Sequence, residues 1–194
     1  YLTEVDKFNP VISAREKFLL IQGEEVTSRF EDKAVHINAI DLKELILPEF
    51  GPNLVETIRR NVNLIQSKGA IPSINHPNYH WSMTSRDLVQ IENMTHFEVY
   101  NGHPGVNNQG GGDSESLDQM WDALLTARRR VFGVAVDDAH HFKKFGPTFS
   151  NPGRGWVMVK ADALDAGKIA GALRAGEFYS STGVDLDSVE RTPT

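Results

Sequence analysis

The sequence predicts an α/β domain built around a parallel sheet, and three observations support this class. Short apolar runs alternate with amphipathic segments at helical spacing, which is typical of βα units. Hydrophobic residues make up 40% and charged residues 24% of the 194 positions, as in a globular domain with one core. Ligand-type polar side chains follow most of the apolar runs. Parallel strands joined by helices leave a barrel or a doubly wound sheet as the alternatives.

Six short apolar runs are predicted to be strands. They cover residues 18–26, 34–40, 70–75, 97–100, 131–136 and 156–159. A predicted helix follows the second, third, fourth and sixth runs, so the order of elements is β-β-α-β-α-β-α-β-loop-β-α. We therefore expect one domain of successive βα units.

Four segments have the periodicity or the caps of helices. They cover residues 54–65, 84–92, 116–128 and 163–174. Thr84 and Asp87 have the spacing of a capping box, and Gly176 stands where a glycine commonly ends a helix. The pattern is clearest in the third segment, whose apolar residues fall on one face.

The composition excludes several classes of protein. No apolar run approaches the roughly 18 residues that a membrane-spanning helix needs, so we expect no membrane partner. The formal net charge is −6 and there is no long basic block, so we expect no strong binding to nucleic acid. The absence of cysteine excludes disulfides and thiolate metal sites, and it is compatible with a cytoplasmic, periplasmic or secreted protein alike. Any metal ion must therefore be bound by His, Asp and Glu.

Ligand-type side chains stand at the predicted carboxyl ends of five successive strands. They are Glu24 and Glu25, His36, His76, Glu98 with His103, and Asp138 with His140. In a βα barrel, the loops at that end converge on the site. Imidazole and carboxylate ligands suit divalent zinc, manganese or iron, and this number of ligands predicts a cluster of two or three ions. Such a cluster can activate water and neutralise the charge of a phosphoryl group.

Taken singly, these residues also have ordinary structural interpretations. His36 alone would more often be a hydrogen-bonded core histidine, and Asp137 with Asp138 could form a turn or a helix cap. Arg154, which two glycines flank, could bind a phosphate through two hydrogen bonds or could be a surface residue in a turn. The occurrence of so many ligand-type residues at successive strand ends favours a functional site.

Five of these segments together resemble the PHP family, the polymerase and histidinol phosphatase domain. The segments are Gly23-Glu24-Glu25, His36-Ile37-Asn38, Ile74-Asn75-His76-Pro77, Phe97-Glu98-Val99-Tyr100-Asn101-Gly102 and Asp138-Ala139-His140. The resemblance implies a distorted seven-stranded (β/α) TIM-like barrel with two or three divalent ions at its mouth. It also implies hydrolysis of a phosphate ester by attack of a metal-bridging hydroxide. The partner that we expect for this protein is therefore a small phosphorylated substrate.

The resemblance further implies roles for individual residues. The metal ligands that carry over are Glu25, His36, His76, Asp138 and His140, and Glu98 and His103 lie where some members have further site residues. We predict that Asp138 and His140 are catalytic as well, and that Arg154 orients the phosphate.

Three motifs with which members of this family begin are missing from the sequence. They are a His-x-His strand, a Ser-Asp-Gly segment and an Asp-His pair, and Tyr1 would follow the last of them. We therefore expect a single N-terminally truncated barrel domain over residues 1–194 that lacks its first strands and has a polar tail at 185–194. A chain shortened in this way could bind metal poorly and be inactive by itself.

The leading hypothesis is therefore a metal-dependent phosphoesterase. An amidohydrolase-like hydrolase would use a similar barrel and similar ligands, although no obvious metal-bridging lysine stands at a predicted strand end. The third hypothesis is a degenerate barrel that binds a ligand or a partner without catalysis. These motifs do not specify the substrate, the metal or the oligomeric state.

Overall fold

The computed structural model describes residues 5–190, which form five α-helices and seven strands. The helices are α1 (Asn9–Glu16), α2 (Leu54–Ser67), α3 (Ser85–Leu88), α4 (Leu117–Thr126) and α5 (Ala166–Ala175). The strands are β1 (Gly23–Phe30), β2 (Lys33–Ile40), β3 (Ile71–Ile74), β4 (His96–Asn101), β5 (Phe132–Val136), β6 (Trp156–Val159) and β7 (Phe178–Ser181). Residues 1–3, expected to follow the missing motifs, and residues 191–194 of the predicted tail lie outside the described residues.

The strands form two separate sheets. The first contains five strands in the order β1-β2-β3-β4-β5, and β6 and β7 form a second, two-stranded sheet. β2 is antiparallel to both β1 and β3, whereas β3, β4 and β5 are parallel. Within residues 5–190, β1 and β5 are the outer strands of an open sheet and do not pair with each other. The α/β class is confirmed, but the prediction of a distorted seven-stranded TIM-like barrel is wrong.

Two local features explain the mixed, open sheet. Only Glu31 and Asp32 separate β1 from β2, and a link of two residues allows an antiparallel hairpin but no parallel crossover. At the other edge, the Ser180 hydroxyl of β7 donates to the Gly133 carbonyl (2.7 Å) and accepts from the Ala135 N–H (3.1 Å) of β5. The second sheet thus lies beside β5 through side-chain bonds and does not continue its backbone ladder.

The five-stranded sheet packs different layers on its two faces. One face carries Val26, Ile37 and Phe97, which pack with α2, α3 and α4 in the main core. On the opposite face, Ile71 at the start of β3 packs with Ala170 and other apolar residues of α5, β6 and β7. Beyond Ile71, toward the carboxyl end of β3, this second face becomes polar. The candidate site lies there.

Several predicted elements are confirmed with their end signals. The Thr84–Asp87 capping box precedes α3, and Gly176 ends α5 in the left-handed conformation. β1 begins at Gly23, five residues later than the predicted strand, and α1 and β7 were not predicted. None of the helices formed by residues 5–190 is long and apolar enough to cross a membrane.

Candidate metal centre

The β1–β2 hairpin brings Glu25 and His36 onto one face of the sheet. Side chains alternate between the two faces of a strand, and Val26 and Ile37 occupy the core face. In the antiparallel register His36 is opposite Thr27, so Glu25 and His36 are diagonal neighbours. Glu25 Oε1 lies 3.3 Å from His36 Nδ1. Glu25 therefore stands near the start of β1 and His36 in the middle of β2, not at the predicted carboxyl ends of parallel strands.

The end of β3 adds His76 to this pair. The Asn75 N–H donates to the His36 carbonyl (3.1 Å), so the chain leaves β3 beside β2. The backbone of His76 has a φ of 22°, and its N–H donates to Glu98 Oε2 at 2.7 Å. The imidazole of His76 then places Nε2 at 3.4 Å from Glu25 Oε1.

Glu25, His36 and His76 together offer ligand atoms for one ion. One nitrogen of each imidazole and one oxygen of the carboxylate lie within 4.8 Å of one another. Asn75 Nδ2 donates to Glu25 Oε1 at 3.0 Å, which orients the carboxylate. Two imidazoles and one carboxylate are ligands that zinc, manganese and iron accept. The donor set therefore fits a divalent cation.

The electrostatics of this group favour a bound cation. Hydrogen bonds with His36 and His76 hold the pKa of Glu25 far below its usual range, although partial burial acts in the opposite direction. Burial raises the pKa of Glu98 to about 7, and the nearby His76 acts against this rise. Burial would lower the pKa of His76, but the hydrogen bond with Glu25 and the nearby carboxylates raise it overall. A cation would neutralise the carboxylates gathered around these imidazoles.

Asp138, His140 and His103 form a second group on the loops after β4 and β5. Asp138 Oδ1 lies 3.6 Å from His140 Nδ1, and Asn101 Nδ2 donates to Asp138 Oδ2 at 3.2 Å. The rings of His103 and His140 meet edge to face, with their centroids 5.5 Å apart. The Gly105 N–H donates to His103 Nδ1 (2.9 Å), and His140 Nδ1 lies 2.8 Å from the Asp138 carbonyl oxygen. At His140, whose Nδ1 donates to a carbonyl oxygen, Nε2 is therefore the nitrogen left for an ion. At His103, Nδ1 is the acceptor, so the neutral ring carries its proton on Nε2.

The two groups line one cavity of about 110 Å³. Its wall is formed by Glu25, His36, His76, Tyr79, His103, Asp138 and His140. The structure therefore brings together six of the seven predicted metal ligands. The seventh, Glu98, is 2% exposed, and its Oε2 accepts hydrogen bonds from the His76 N–H and from Asn101 Nδ2. That these residues bind metal stays a prediction.

Arg154 is not one of the residues that line this cavity. Its NH1 group donates to the Gly102 carbonyl (3.2 Å), and its NH2 group donates to the Gly146 carbonyl (2.6 Å) and to Asn151 Oδ1 (3.3 Å). Phosphate binding by Arg154 stays a prediction, and its partners in the structure are oxygens of two neighbouring loops.

Tyr79 is a residue of the cavity wall that the sequence did not point to. Its ring lies edge-on to His76 and His103, with centroids 5.3 and 6.4 Å apart. It belongs to the 3₁₀ turn Tyr79–Trp81, and its N–H donates to the His76 carbonyl at 2.8 Å. Its position three residues after the Asn-His-Pro histidine is the signal that could have found it.

Comparisons with known proteins show a fold similarity at low sequence identity. No family model matches the sequence, and a search of curated proteins gives no significant match. A structural search finds the crystal structure of a two-domain protein containing a predicted PHP-like metal-dependent phosphoesterase from Bacteroides vulgatus ATCC 8482. The similarity has a TM-score of 0.55 at 17% identity and covers 90% of this chain and 48% of that one. This chain therefore shares a fold with that structure and spans about half of its length.

Proposed function

We propose that this protein is a PHP-like metal-dependent phosphoesterase that hydrolyses a small phosphate ester. The proposal is carried by the cavity wall, where the ligand atoms of Glu25, His36 and His76 lie close together and Asp138 and His140 line the same space. The name of the Bacteroides vulgatus neighbour, a predicted PHP-like metal-dependent phosphoesterase, supports the same class. The match covers only 48% of the neighbouring chain. Phosphoesterase activity of this chain is therefore a proposal.

Two ions are assigned to the cavity in this proposal. Glu25, His36 and His76 would bind the first, and Asp138 and His140 would bind the second. His103 would join the second ion after its ring gave up the bond from the Gly105 N–H and its proton moved from Nε2 to Nδ1. Zinc, manganese and iron all suit these ligands. Divalent ions in such a site supply an activated water for attack on phosphorus and neutralise the charge of the phosphoryl oxygens.

The protein's own residues orient the ligands before any ion binds. The Asn75 amide donates to Glu25 Oε1, and the Asn101 amide donates to Asp138 Oδ2. Partners of this kind fix the direction of a carboxylate and raise the affinity of the site. Tyr79 lines the same cavity, where its side chain could contact the phosphate ester.

An amidohydrolase-like reaction and a non-catalytic binding site are the competing hypotheses. Among the described residues that line the cavity, none is the lysine that a bridged pair of ions in an amidohydrolase-like site would use. Neither alternative is favoured by a specific contact, so substrate range has to separate the three functions.

Metal content and substrate range test the proposal together. The purified protein is loaded with Mn²⁺ or Zn²⁺, analysed by inductively coupled plasma mass spectrometry, and assayed with phosphate monoesters, phosphodiesters and amides. We expect about two ions per chain and turnover of phosphate esters only. Binding of less than about half an ion per chain after loading, or turnover of amides alone, contradicts the proposal.

Two adjacent glutamates provide a matched control. Glu25→Gln removes the carboxylate charge from the cavity and should cost about one bound ion. Glu24→Gln makes the same change at a side chain whose Oε2 accepts from the Ile46 N–H (2.9 Å) and which does not line the cavity. Equal loss of metal in both variants would show that charge in general, rather than the ligand set, determines binding.

A further inference from the structure

We propose that Arg154 is a positioning residue, which holds the loops of His103 and His140 together and so places both imidazoles at the cavity. This inference rests on the proposed metal-binding function and assigns to Arg154 a role other than phosphate binding. It is based on the hydrogen bonds made at the two ends of the arginine, its backbone and its guanidinium group.

The backbone of Arg154 is anchored by Asp137. The N–H groups of Arg154 and Gly155 donate to Asp137 Oδ1 at 2.5 and 2.9 Å. The N–H of Gly153 donates to Oδ2 of the same carboxylate at 3.0 Å, and its φ of 83° is in the left-handed region that favours glycine. A Cβ at Gly155 would lie 2.8 Å from the Val136 carbonyl oxygen. The flanking glycines thus let this segment wrap around a carboxylate at the end of β5.

The guanidinium group bridges the loops after β4 and β5. Its NH1 donates to the carbonyl of Gly102, the residue directly before His103. Its NH2 donates to the carbonyl of Gly146 in the loop that follows His140. A Cβ at Gly102 would lie 2.8 Å from Arg154 Cβ, so the two segments are in close contact. A single side chain therefore connects the two loops that carry the candidate ligands.

Ser150 and Asn151 relay this contact to His140. Arg154 NH2 donates to Asn151 Oδ1, and Asn151 Nδ2 donates to the His141 carbonyl at 2.8 Å. The His140 N–H donates to the Ser150 carbonyl (3.0 Å), and Ser150 Oγ lies 3.2 Å from His140 Nδ1. Ser150 and Asn151 are both buried, so water does not compete for these hydrogen bonds. The direction of the His140 ring therefore depends on a loop that is bonded to Arg154.

Arginine and lysine differ in the property that this role requires. The planar guanidinium group donates in several fixed directions at once, whereas an ammonium group is a compact point charge. Arg154→Lys keeps the positive charge but cannot reproduce the bonds to Gly102 and Gly146 together. A lysine still binds phosphate, so a phosphate-binding arginine would tolerate the change better than a positioning one.

The first experiment compares histidine ring signals by NMR in metal-free wild-type, Arg154→Lys and Arg174→Lys protein. Arg174 is the matched control, because its NH2 group also donates to a backbone carbonyl, that of Gly69 (2.6 Å), and it does not line the cavity. In Arg154→Lys we expect the signals of His103 and His140 to shift or broaden, and in the control to stay unchanged. Unchanged signals in Arg154→Lys overturn the proposal.

A second variant covers the case that Arg154→Lys does not fold. Asp137→Asn weakens the anchor of the Arg154 backbone and leaves the guanidinium group in place. We expect smaller changes of the same two signals, with those of His36 and His76 unchanged. If the His103 and His140 signals of this variant match the wild type, the positioning role is overturned.

The second experiment titrates Mn²⁺ into the same proteins. In Arg154→Lys, the site of His103 and His140 should lose about tenfold or more in affinity, as when an outer partner of a metal ligand is removed, while the site of Glu25 keeps its affinity. If the Mn²⁺ affinities are unchanged and the KM for a phosphate ester is raised, Arg154 binds phosphate and the proposal is overturned. If the wild type binds no ion, the proposed function fails, but the metal-free NMR comparison still decides the role of Arg154.

Discussion

Two buried histidines beside neighbouring strands, His76 and His96, have different electrostatic surroundings. His76 follows β3 and is 7% exposed, and His96 begins β4 and is 1% exposed. Burial acts to lower the pKa of both imidazoles. At His76 the hydrogen bond with Glu25 and the nearby carboxylates raise the pKa overall, whereas the pKa of His96 stays lowered. Since both imidazoles are buried, the groups that contact each ring decide whether its pKa is raised or lowered.

The surroundings of His96 are those of a core residue. Its ring packs against Phe132 and Phe178, with centroids 5.5 and 6.0 Å apart. Its Nε2 lies 3.1 Å from the Leu173 carbonyl oxygen and its Nδ1 lies 3.0 Å from the Thr95 hydroxyl. A neutral imidazole can donate to the first and accept from the second. A buried histidine with such partners stabilises the fold, while one among carboxylates is suited to a cation.

Replacing each histidine should separate catalysis from packing, and this is the largest effect expected. His76→Ala should lower kcat/KM for a phosphate ester by about a thousandfold or more, because metal ions supply several kcal/mol of transition-state stabilisation. His96→Gln keeps a polar side chain in the core and should leave kcat/KM within about threefold of wild type. Steady-state kinetics at equal metal loading, with circular dichroism to check folding, measures both. Equal losses in the two variants would contradict the distinction.

Added metal should stabilise the protein through the cavity alone. A ligand at 100 times its Kd adds about 2.7 kcal/mol to the free energy of unfolding of a protein that binds it only when folded. We expect a gain of this order in wild type and in His96→Gln, and little gain in His36→Ala. Urea unfolding with Mn²⁺ and with a chelator measures it. A full gain in His36→Ala would remove His36 from the ligand set.

Acid should destabilise the metal-free protein through His96. The pKa of His96 is lowered from 6.5 in the folded state, mainly by burial, so the unfolded chain takes up a proton first as the pH falls. The contribution of neutral His96 to the free energy of unfolding is complete above pH 6.5, and it is lost as the pH falls through the folded-state pKa. Each pH unit between the pKa of His96 in the unfolded chain and its pKa in the folded protein changes the free energy of unfolding by about 1.4 kcal/mol.

His96→Phe cannot titrate and provides the comparison for this prediction. The free energy of unfolding of the variant should fall less steeply than that of wild type between about pH 7 and about pH 5. Urea unfolding at a series of pH values measures the difference of the two slopes. Parallel curves would mean that His96 does not contribute to the acid sensitivity.

The smallest expected effect concerns Tyr79, the aromatic neighbour of His76. Tyr79→Phe keeps the ring that packs on His76 and removes the hydroxyl of a residue that lines the cavity. We expect kcat/KM to fall about fivefold to tenfold, as for the loss of one hydrogen bond worth about 1 to 1.5 kcal/mol, with stability nearly unchanged. Kinetics and urea unfolding of the variant test this. Wild-type kcat/KM would make Tyr79 a packing residue, like Phe132 beside His96.

Most helices and strands could be predicted because their signals are local. The capping box of Thr84 and Asp87 and the glycine at 176 mark helix ends through contacts within a few residues. The first strand was placed too early because 18–26 begins with an apolar run, whereas β1 is a mainly polar hairpin strand. The strand β7, at Phe178–Ser181, was missed because its second half is two serines, so it lacks the continuous apolar run that predicted β6, a strand of equal length.

The candidate site was predicted as a set of residues but in a wrong architecture. The types and order of the ligands pointed to a metal site, and the structure places Glu25, His36 and His76 around one cavity. The expected position at the carboxyl end of a parallel strand was wrong for Glu25 and His36, because the hairpin turn at residues 31–32 reverses the chain after β1. His76 does follow a strand that is parallel to its neighbour β4. Strand direction depends on pairing, which side-chain periodicity does not report.

The sequence by itself determined the α/β class, most helices, the end signals of α3 and α5, and the side chains that could be offered to a cation. These follow from residue types and from contacts between near neighbours in the chain. Only the tertiary structure decided which strands pair in which direction, and which histidine meets a carboxylate. The Asn75 amide reaches Glu25 across 50 residues, and His96 reaches the Leu173 carbonyl across 77. Such contacts depend on the packing of the whole sheet, and no local pattern in the chain encodes them.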